Sequence, residues 1–335
     1  MMYNRVYHVY MKRITVLGGG TGSYVILSGL KQTGHDLAVI VTMMDSGGST
    51  GKLRDQLGVL PPGDLRQCLV ALSDAPLLWR RLFLYRFESG DLLGHNFGNL
   101  FISALEKVCS NYEEVVDTAS FVLKTKGSVI PVTIRKAHLC VQYKNGKMVK
   151  GEGIIDSNIK EKRRIERAFL EPKAVALPRA LERIQQSHSI IIGPGDLYTS
   201  IIPILLTGGM KEAMRLYKGK IIYIMNLMTK RGQTTGYTAW DHLNDLHTYL
   251  GRNVDVVVIN NGKIPKKILE WYTENGEQPV INNISSAFQG VVREADLIDR
   301  KEYTKMKTDI LVNPSSRSIL RHDGAKTIKA ILDLL

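Results

Sequence analysis

Short apolar runs alternate with amphipathic stretches along most of the chain. A run at residues 14–17 precedes an amphipathic segment near 24–32, and a second run follows at 37–43. A fully apolar run of this length is typical of a strand buried on both faces, whereas apolar residues spaced three and four apart predict a helix. The order strand, helix, strand predicts a parallel sheet covered by helices.

The same alternation returns in the second half and sets the expected fold class. The predicted strands there are 189–192, 220–226 and 254–260. The other predicted helices lie near 64–73, 77–85, 99–108, 198–206, 237–250 and 266–273, and from about 325. We therefore expect an α/β fold that is Rossmann-like, with a doubly wound, mostly parallel sheet.

The pattern changes between these two halves. Asn145-Gly146 separates two alternating segments, 138–143 and 147–155, which predicts a β-hairpin with a tight turn. The basic stretch that follows, between Lys160 and Arg183, is interpreted as a solvated helix face rather than a nucleic-acid patch. We expect a single Rossmann-like domain over residues 11–335, with this β-hairpin and helical segment inserted at about 129–185.

Composition narrows the ligand class and the compartment. Lys and Arg outnumber Asp and Glu by 45 to 32 in 335 residues, a formal net charge of +13 that favours anionic ligands. Cys68, Cys109 and Cys140 share no metal-ligand spacing, so reduced thiols are expected. No apolar run approaches the roughly 20 residues of a membrane span, which favours a cytoplasmic protein. Residues 1–10 are interpreted as an extension from an upstream start codon.

Two glycine-dense turns follow the first two predicted strands. They are Gly18-Gly19-Gly20-Thr21-Gly22 and Asp45-Ser46-Gly47-Gly48-Ser49-Thr50. Because glycine has no Cβ, several backbone N–H groups can converge on an anion, and the helix behind each turn adds the positive end of its dipole. Ser23 stands where a dinucleotide fingerprint has its third glycine, which weakens an NAD interpretation. We expect phosphate or ribose contacts at these turns. Asp45 can accept hydrogen bonds from ribose hydroxyls, hold a hydrated Mg²⁺ or cap the next turn.

Further candidate ligand contacts follow later strands or begin helices. A third turn, Gly193-Pro194-Gly195-Asp196, repeats the anion-cradle pattern. Arg66 lies in the first turn of a predicted helix, where a positive charge is unfavourable for the helix dipole, so a bound phosphate would explain it. Asn96 and Asn99 are spaced to share a helix face and to hydrogen-bond a sugar or base. The remaining candidates are Asp64, Thr199, Ser200, Asn226 and Thr229.

Taken together, these motifs resemble the bacterial gluconeogenesis factor family, the YvcK type. That family shares its fold with the 2-phospho-L-lactate transferases, the CofD type. The resemblance runs from about Met11 to the C-terminus. It rests on GGGTG at Gly18, MDSGGSTG at Met44, LPPGDLRQ at Leu60, GHNFGNL at Gly94, GPGxLYTS at Gly193, NLMT at Asn226 and RHD at Arg321.

The resemblance implies a UDP-sugar ligand such as UDP-N-acetylglucosamine, and a role in cell shape and cell-wall homeostasis during gluconeogenic growth. It does not imply catalysis. The alternative is a Mg²⁺-dependent transferase that moves a phospholactyl- or phosphoenolpyruvyl-type group from a nucleotide diphosphate donor to an acceptor hydroxyl. Mg²⁺ is the one cofactor considered, and a homo-oligomer and an unidentified protein partner stay open. Binding of nucleic acid is the least favoured hypothesis.

Two departures from the family pattern concern charge. Asp196 replaces the usual serine of GPGSLYTS and adds a negative charge to an expected phosphate cradle. The usual Gln-Pro-Gly-Glu after NLMT is Lys230-Arg231-Gly232-Gln233 here, which loses a carboxylate and gains two cations. Affinity for a diphosphate is expected to rise with the second change.

Overall fold

A seven-stranded parallel sheet forms the centre of the protein. The structure, a computed structural model, describes residues 11–158, 160–300 and 319–335, so the interpreted extension at 1–10 lies outside the described residues. The strands are β1 (Arg13–Leu17), β2 (Asp36–Val41), β3 (Ser128–Pro131), β4 (His138–Tyr143), β5 (Met148–Lys150), β6 (Ile165–Glu171), β7 (Ser189–Ile192), β8 (Lys220–Ile224), β9 (Val256–Asn260) and β10 (Val291–Ala295).

Strand order places a crevice in the middle of this sheet. The order is β10-β9-β8-β7-β1-β2-β3, with every neighbouring pair parallel. The chain therefore builds outward from β1 in one direction and from β7 in the other. In such sheets the crevice for ligands lies outside the carboxyl ends of the two strands where the order reverses.

Helices cover both faces of the sheet. They are α1 (Gly20–Leu30), α2 (Gly48–Leu57), α3 (Gly63–Leu72), α4 (Leu77–Leu84), α5 (Phe97–Val108), α6 (Tyr112–Leu123), α7 (Glu152–Asp156), α8 (Pro178–Gln186), α9 (Ile202–Leu206), α10 (Met210–Leu216), α11 (Ala239–Leu250), α12 (Lys266–Glu274) and α13 (Gly324–Ile331), with a π-helical turn at Leu197–Ile201 and a 3₁₀ turn at Leu332–Leu334. No described helix is both long and apolar enough to cross a membrane.

The side chains of β2 show why the strands are apolar throughout. Ala38 and Ile40 pack into the hydrophobic cluster on one face of the sheet, and Val39 and Val41 pack into the cluster on the other. All four are fully buried. The expected α/β, Rossmann-like fold with a parallel sheet is confirmed.

The segment between the two halves differs from expectation at two elements. Within the predicted strand 147–155, only β5 is extended, and α7 follows it directly. The basic stretch expected to be helical contains β6, which pairs antiparallel with β4 and completes a three-stranded sheet. Ile165, Ala168 and Leu170 of β6 are buried while its charged residues face outward, so tertiary packing outweighs the local pattern of charge. The domain boundaries stay predictions.

Candidate functional site

A cleft of about 590 Å³ opens at the carboxyl edge of the sheet, where β1, β2, β7 and β8 end. It brings together residues from all three glycine turns, which are far apart in the sequence. The predicted site residues that line it are Gly19, Gly20, Thr21, Gly22, Asp45, Gly47, Gly48, Ser49, Thr50, Arg66, Asn99, Gly195, Asp196, Ser200, Asn226 and Thr229.

The glycine turns pack directly against one another. A Cβ at Gly22 in the first turn would overlap the carbonyl oxygen of Pro194 in the third. A Cβ at Gly63, which begins α3, would overlap the Asp45 carboxylate and the Thr50 hydroxyl of the second. Glycine is therefore needed at these positions for close approach of the chain.

The first two turns bring the N-termini of α1 and α2 to the cleft. Gly19 and Gly47 are the N-caps of these helices and have no side chain to cap them. Acidic side chains accept hydrogen bonds there instead: the Asp64 carboxylate from the Gly20 N–H, and Asp45 Oδ1 from the Gly47 N–H at 2.8 Å. The first N–H groups of a helix have no intrahelical acceptor, and the helix dipole makes its N-terminus attractive to anions. Both helix ends can therefore hold phosphate groups.

Three predicted site residues lie outside the cleft lining because they bind backbone elsewhere. Gly18 donates its N–H to the carbonyl of Ile40, 3.2 Å away. The Ser46 hydroxyl accepts a 2.8 Å hydrogen bond from the N–H of Gly153 in α7. Gly193, with φ +74° in the turn that follows β7, donates its N–H to the carbonyl of Leu17, 3.1 Å away.

Asp64, Asn96 and Thr199 also lie outside the lining. Asp64 is so close to the first turn that a Cβ at Gly19 would overlap its carboxylate. Asn96 does not share a helix face with Asn99: it is the N-cap of α5, and its side chain accepts a 3.2 Å hydrogen bond from the Asn99 N–H. Thr199 Oγ1 lies 3.4 Å from Gln233 Oε1.

Arg66 and Asn99 form a buried polar pair at the cleft wall. Arg66 Nε donates to Asn99 Oδ1 at 2.8 Å, and a second guanidinium nitrogen donates to the Phe83 carbonyl at 3.3 Å. Asn99 Nδ2 lies 3.3 Å from the Ser49 hydroxyl. These bonds hold a cation next to the second turn, where the sequence predicts a phosphate.

Carboxylates also surround the cleft, and their environment favours protonation. Burial raises the pKa of Asp45, although the Gly47 N–H at 2.8 Å opposes that rise. Burial and the neighbouring Asp45 charge raise the pKa of Asp64 to about 8. Glu152 of α7, whose carboxylate accepts a 3.1 Å hydrogen bond from the Ser46 N–H, has its pKa raised by burial and then by Asp45.

A divalent cation fits this site only with help from the ligand. Among the described residues, no group of three or more His, Cys, Asp or Glu side chains is arranged to hold a metal ion. Mg²⁺ is commonly held by one or two carboxylates together with substrate phosphates. Asp45, beside Thr50 at the second turn, offers such a carboxylate. The Mg²⁺ site at Asp45 stays a proposal.

The residues that depart from the family pattern meet at one side of the cleft. Lys230 Nζ lies 3.3 Å from Asp156 Oδ1 of α7. Burial alone would lower the pKa of Lys230, but the negative charges of Asp196, Asp156 and Glu277 outweigh it and raise that pKa. Gln233 is fully buried and donates to Asp156 Oδ1 at 3.1 Å. The added cation thus compensates the added Asp196.

Sequence reasoning missed one wall of the cleft. Trp271 and Tyr272 of α12 line it together with Asn275, and their rings meet edge to face with centroids 5.0 Å apart. Arg231 connects this wall to the loop after β8, because its guanidinium donates to the Asn275 carbonyl at 3.2 Å. Helix α12 was predicted, but nothing in its sequence indicated which residues face the cleft. The other lining residues outside the prediction include Gln67, Arg86, Glu152, Asp156, Glu277, Arg321 and His322.

The fold and cleft define a Rossmann-like α/β protein whose strand-end pocket is made of interlocking glycine turns. The family model described as 2-phospho-L-lactate transferase CofD matches residues 14–298. The chain belongs to the gluconeogenesis factor family, within the superfamily that includes this transferase.

Relatives match almost the whole chain. The gluconeogenesis factor of Bacillus subtilis is 36% identical over 329 residues, which cover 96% of this chain and 98% of that protein. The gluconeogenesis factor of Listeria monocytogenes is 37% identical over 298 residues, 84% of this chain and 92% of that protein. A crystal structure of a UPF0052 family member from Bacillus halodurans has a TM-score of 0.86 at 35% identity and covers 97% of this chain and 100% of that one. The resemblance expected from the motifs is confirmed.

Proposed function

We propose that the chain binds a nucleotide diphosphate sugar, such as UDP-N-acetylglucosamine, in the strand-end cleft. The observation that carries this proposal is the contact between the first and third glycine turns, at Gly22 and Pro194. Turns that touch in this way place the N-termini of α1 and α2 and the turn at Gly195 within reach of one anionic ligand. A diphosphate is long enough to engage two such turns at once.

The rest of the cleft suits the two ends of such a ligand. Trp271, which packs edge to face on the buried Tyr272, offers an aromatic surface for a nucleobase, since bases stack on aromatic side chains. The carboxylates of Glu152 and Asp156, which also line the cleft, can accept hydrogen bonds from sugar hydroxyls. Arg66 and Lys230 add positive charge on either side of the phosphates.

We further propose that the protein acts as a regulator in cell-shape and cell-wall homeostasis during gluconeogenic growth, without turnover. The name of its relatives in Bacillus and Listeria, gluconeogenesis factor, supports the link to gluconeogenic growth. A sensor needs no turnover, because ligand binding alone can shift the population of protein conformations.

Differential scanning fluorimetry tests the ligand class. UDP-N-acetylglucosamine should raise the melting temperature, because a ligand that binds only the folded state stabilises it by about 2.7 kcal/mol at a hundred times its Kd. NAD should cause no rise, because the first turn lacks the third glycine of the dinucleotide fingerprint. The proposal would be rejected if both nucleotides raised the melting temperature equally, or if neither raised it.

A second candidate is a Mg²⁺-dependent transferase that moves a phospholactyl- or phosphoenolpyruvyl-type group onto an acceptor hydroxyl. The match to the CofD family model favours it. When bound at Asp45, Mg²⁺ would neutralise charge on the transferred phosphate. Asp45 would position it beside the second turn. The acceptor oxygen would form the new phosphodiester as the diphosphate P–O bond breaks and a nucleoside monophosphate leaves. Formation of both products from a nucleotide diphosphate donor and a deazaflavin acceptor, lost in Asp45→Asn, would establish this function.

A further inference from the structure

A second feature of the molecule lies outside the cleft, on the surface made by α4 and α6. Six of the eight residues of α4 are large and apolar, but Phe83 is the buried residue among them. Leu77 is 60% exposed and Leu78 is 75% exposed. A helix that is apolar on most faces is normally buried, and contiguous exposed apolar surface marks a site of interaction.

An open groove of about 620 Å³ separates the two helices. Trp79 of α4 lines one side, and Phe121 and Val122 of α6 line the other. Phe121 is 84% exposed, so its ring projects from the rim of the groove. The surface therefore carries both an aromatic projection and a groove able to receive one.

Charges on α6 are distributed asymmetrically around this projection. Asp117 precedes Phe121 by four residues and shares its face of α6. Lys124 is the C-cap just past the helix, with φ +47°, and it lines the same groove, so the three side chains form one stripe along the groove. Glu113 and Glu114 extend the acidic end. The Asp117 carboxylate comes within 3.9 Å of Arg179, a separation too long for a hydrogen bond. The stripe thus runs from negative to positive, with the phenyl ring between.

We propose that this α4–α6 face, defined by Leu77, Leu78, Trp79, Asp117, Phe121 and Lys124, binds the same face of a second copy of the chain. A two-fold axis pairs equivalent patches of the two copies. When the axis is perpendicular to α6, the α6 helices of the two copies run antiparallel. Asp117 of each copy then faces Lys124 of the other. Each Phe121 enters the partner's groove beside Trp79.

Charge complementarity selects this occupant over a surface of one sign. An anionic lipid surface would attract Lys124 and the α4 residues Arg80 and Arg81, but it would repel Glu113, Glu114 and Asp117. A second copy matches both ends at once. The assignment does not depend on the ligand of the cleft, because the α4–α6 face shares no residue with it.

Sedimentation equilibrium of the full chain at several concentrations tests the proposal. We expect a reversible dimer. Phe121→Ser should raise the dimer dissociation constant by about a hundredfold or more, because two aromatic rings lose their burial. Since Phe121 is exposed in the single chain, the melting temperature of the variant at low concentration should match the wild type.

Charge exchange gives a sharper test of the pairing. Asp117→Lys alone and Lys124→Asp alone should each weaken the dimer by about tenfold, because each creates two like-charge contacts. The double variant should regain wild-type affinity. Glu166→Lys and Lys218→Asp make similar charge changes at exposed positions elsewhere and should leave the dimer unchanged.

Three outcomes would overturn the proposal. One is a wild type that stays monomeric at every concentration. Another is a dimer whose affinity Phe121→Ser leaves intact, or a double charge variant that is no better than the single ones. The third is a monomer that floats with anionic phosphatidylglycerol vesicles through Phe121, which would assign the face to a membrane surface.

Discussion

Lys230 Nζ lies 3.3 Å from Asp156 Oδ1, and this ion pair connects the loop after β8 to helix α7 at one side of the cleft. Both side chains are largely shielded from solvent, with 13% and 20% of their surfaces exposed. Charge pairs in such surroundings are costly to break, because the remaining partner is left without compensation. Asp196, which also contributes to the raised pKa of Lys230, makes the cation still more necessary.

Removal of this cation should therefore weaken anion binding. Lys230→Met is expected to raise the Kd for UDP-N-acetylglucosamine by about tenfold or more, since Asp156 and Asp196 then face the phosphates without a counter-charge. Isothermal titration calorimetry measures the effect. The exposed Lys218→Met is the matched control and should bind as the wild type does.

The double variant Asp196→Ser/Lys230→Gln restores the usual family residues at both positions. It removes one charge of each sign, so binding should stay within about threefold of the wild type. If the double variant binds as poorly as Lys230→Met, the two departures do not compensate each other, and the electrostatic account of this side of the cleft is wrong.

Contact between the first and third turns makes a prediction about stability. Gly22→Ala should destabilise the fold by about 2 kcal/mol or more, because the new Cβ overlaps the Pro194 carbonyl and backbone must move. Gly47→Ala is the control within the same cleft: its φ is −87° and its Cβ would meet nothing closer than 3.5 Å. Urea unfolding should show the difference, and equal stability of the two variants would contradict the packing described.

Asp64 should make stability depend on pH. Its pKa is about 8 in the folded protein, against an ordinary 3.8, so the folded state binds the proton more tightly. The stabilisation from this group is present below roughly pH 4 and is lost as the pH rises toward about 8. Asp64→Asn keeps the hydrogen-bond acceptor and removes the titration.

The melting temperature should consequently fall less steeply between acidic and alkaline pH in Asp64→Asn than in the wild type. Asp55→Asn, an exposed carboxylate on α2, serves as control and should keep the wild-type slope. If the curves of melting temperature against pH are parallel for wild type and Asp64→Asn, Asp64 does not take up a proton on folding.

The aromatic wall can be separated from the phosphate site by choice of ligand. Trp271→Ala should weaken UDP and UDP-N-acetylglucosamine by about tenfold, given the roughly 1–3 kcal/mol that base stacking contributes. Trp271→Ala should bind inorganic pyrophosphate as the wild type does. The distant Trp79→Ala variant is the control and should bind all three ligands with wild-type affinity. A loss of pyrophosphate affinity in Trp271→Ala would place the wall next to the phosphates instead.

The parts of the fold that sequence reasoning recovered are those with a strong local pattern. The apolar run ending at Leu17 and the glycines after it predicted a strand followed by a turn at the carboxyl edge of the sheet, and the structure confirms β1 and α1 there. Helix α1 begins at Gly20, four residues before the predicted start, because glycines at 20 and 22 hide the beginning of the periodicity. Helix α6 was missed altogether, although Asn111 caps it.

The residues of the candidate site likewise divide into those with a local sequence signal and those placed by tertiary packing. Turn glycines were found because their chemistry is local. Asp156 was missed because residues 147–155 were assigned to a strand, and Trp271 was missed because its position depends on how α12 packs over the sheet edge. Asn96 and Asn99 were paired by spacing, but spacing cannot distinguish a helix face from a helix cap.

A crystal structure of the chain with UDP-N-acetylglucosamine tests the central claim most directly. The account predicts the diphosphate between the N-termini of α1 and α2 and the turn at Gly195, within hydrogen-bond distance of their backbone N–H groups. A diphosphate bound elsewhere, with those N–H groups facing only solvent, would contradict it.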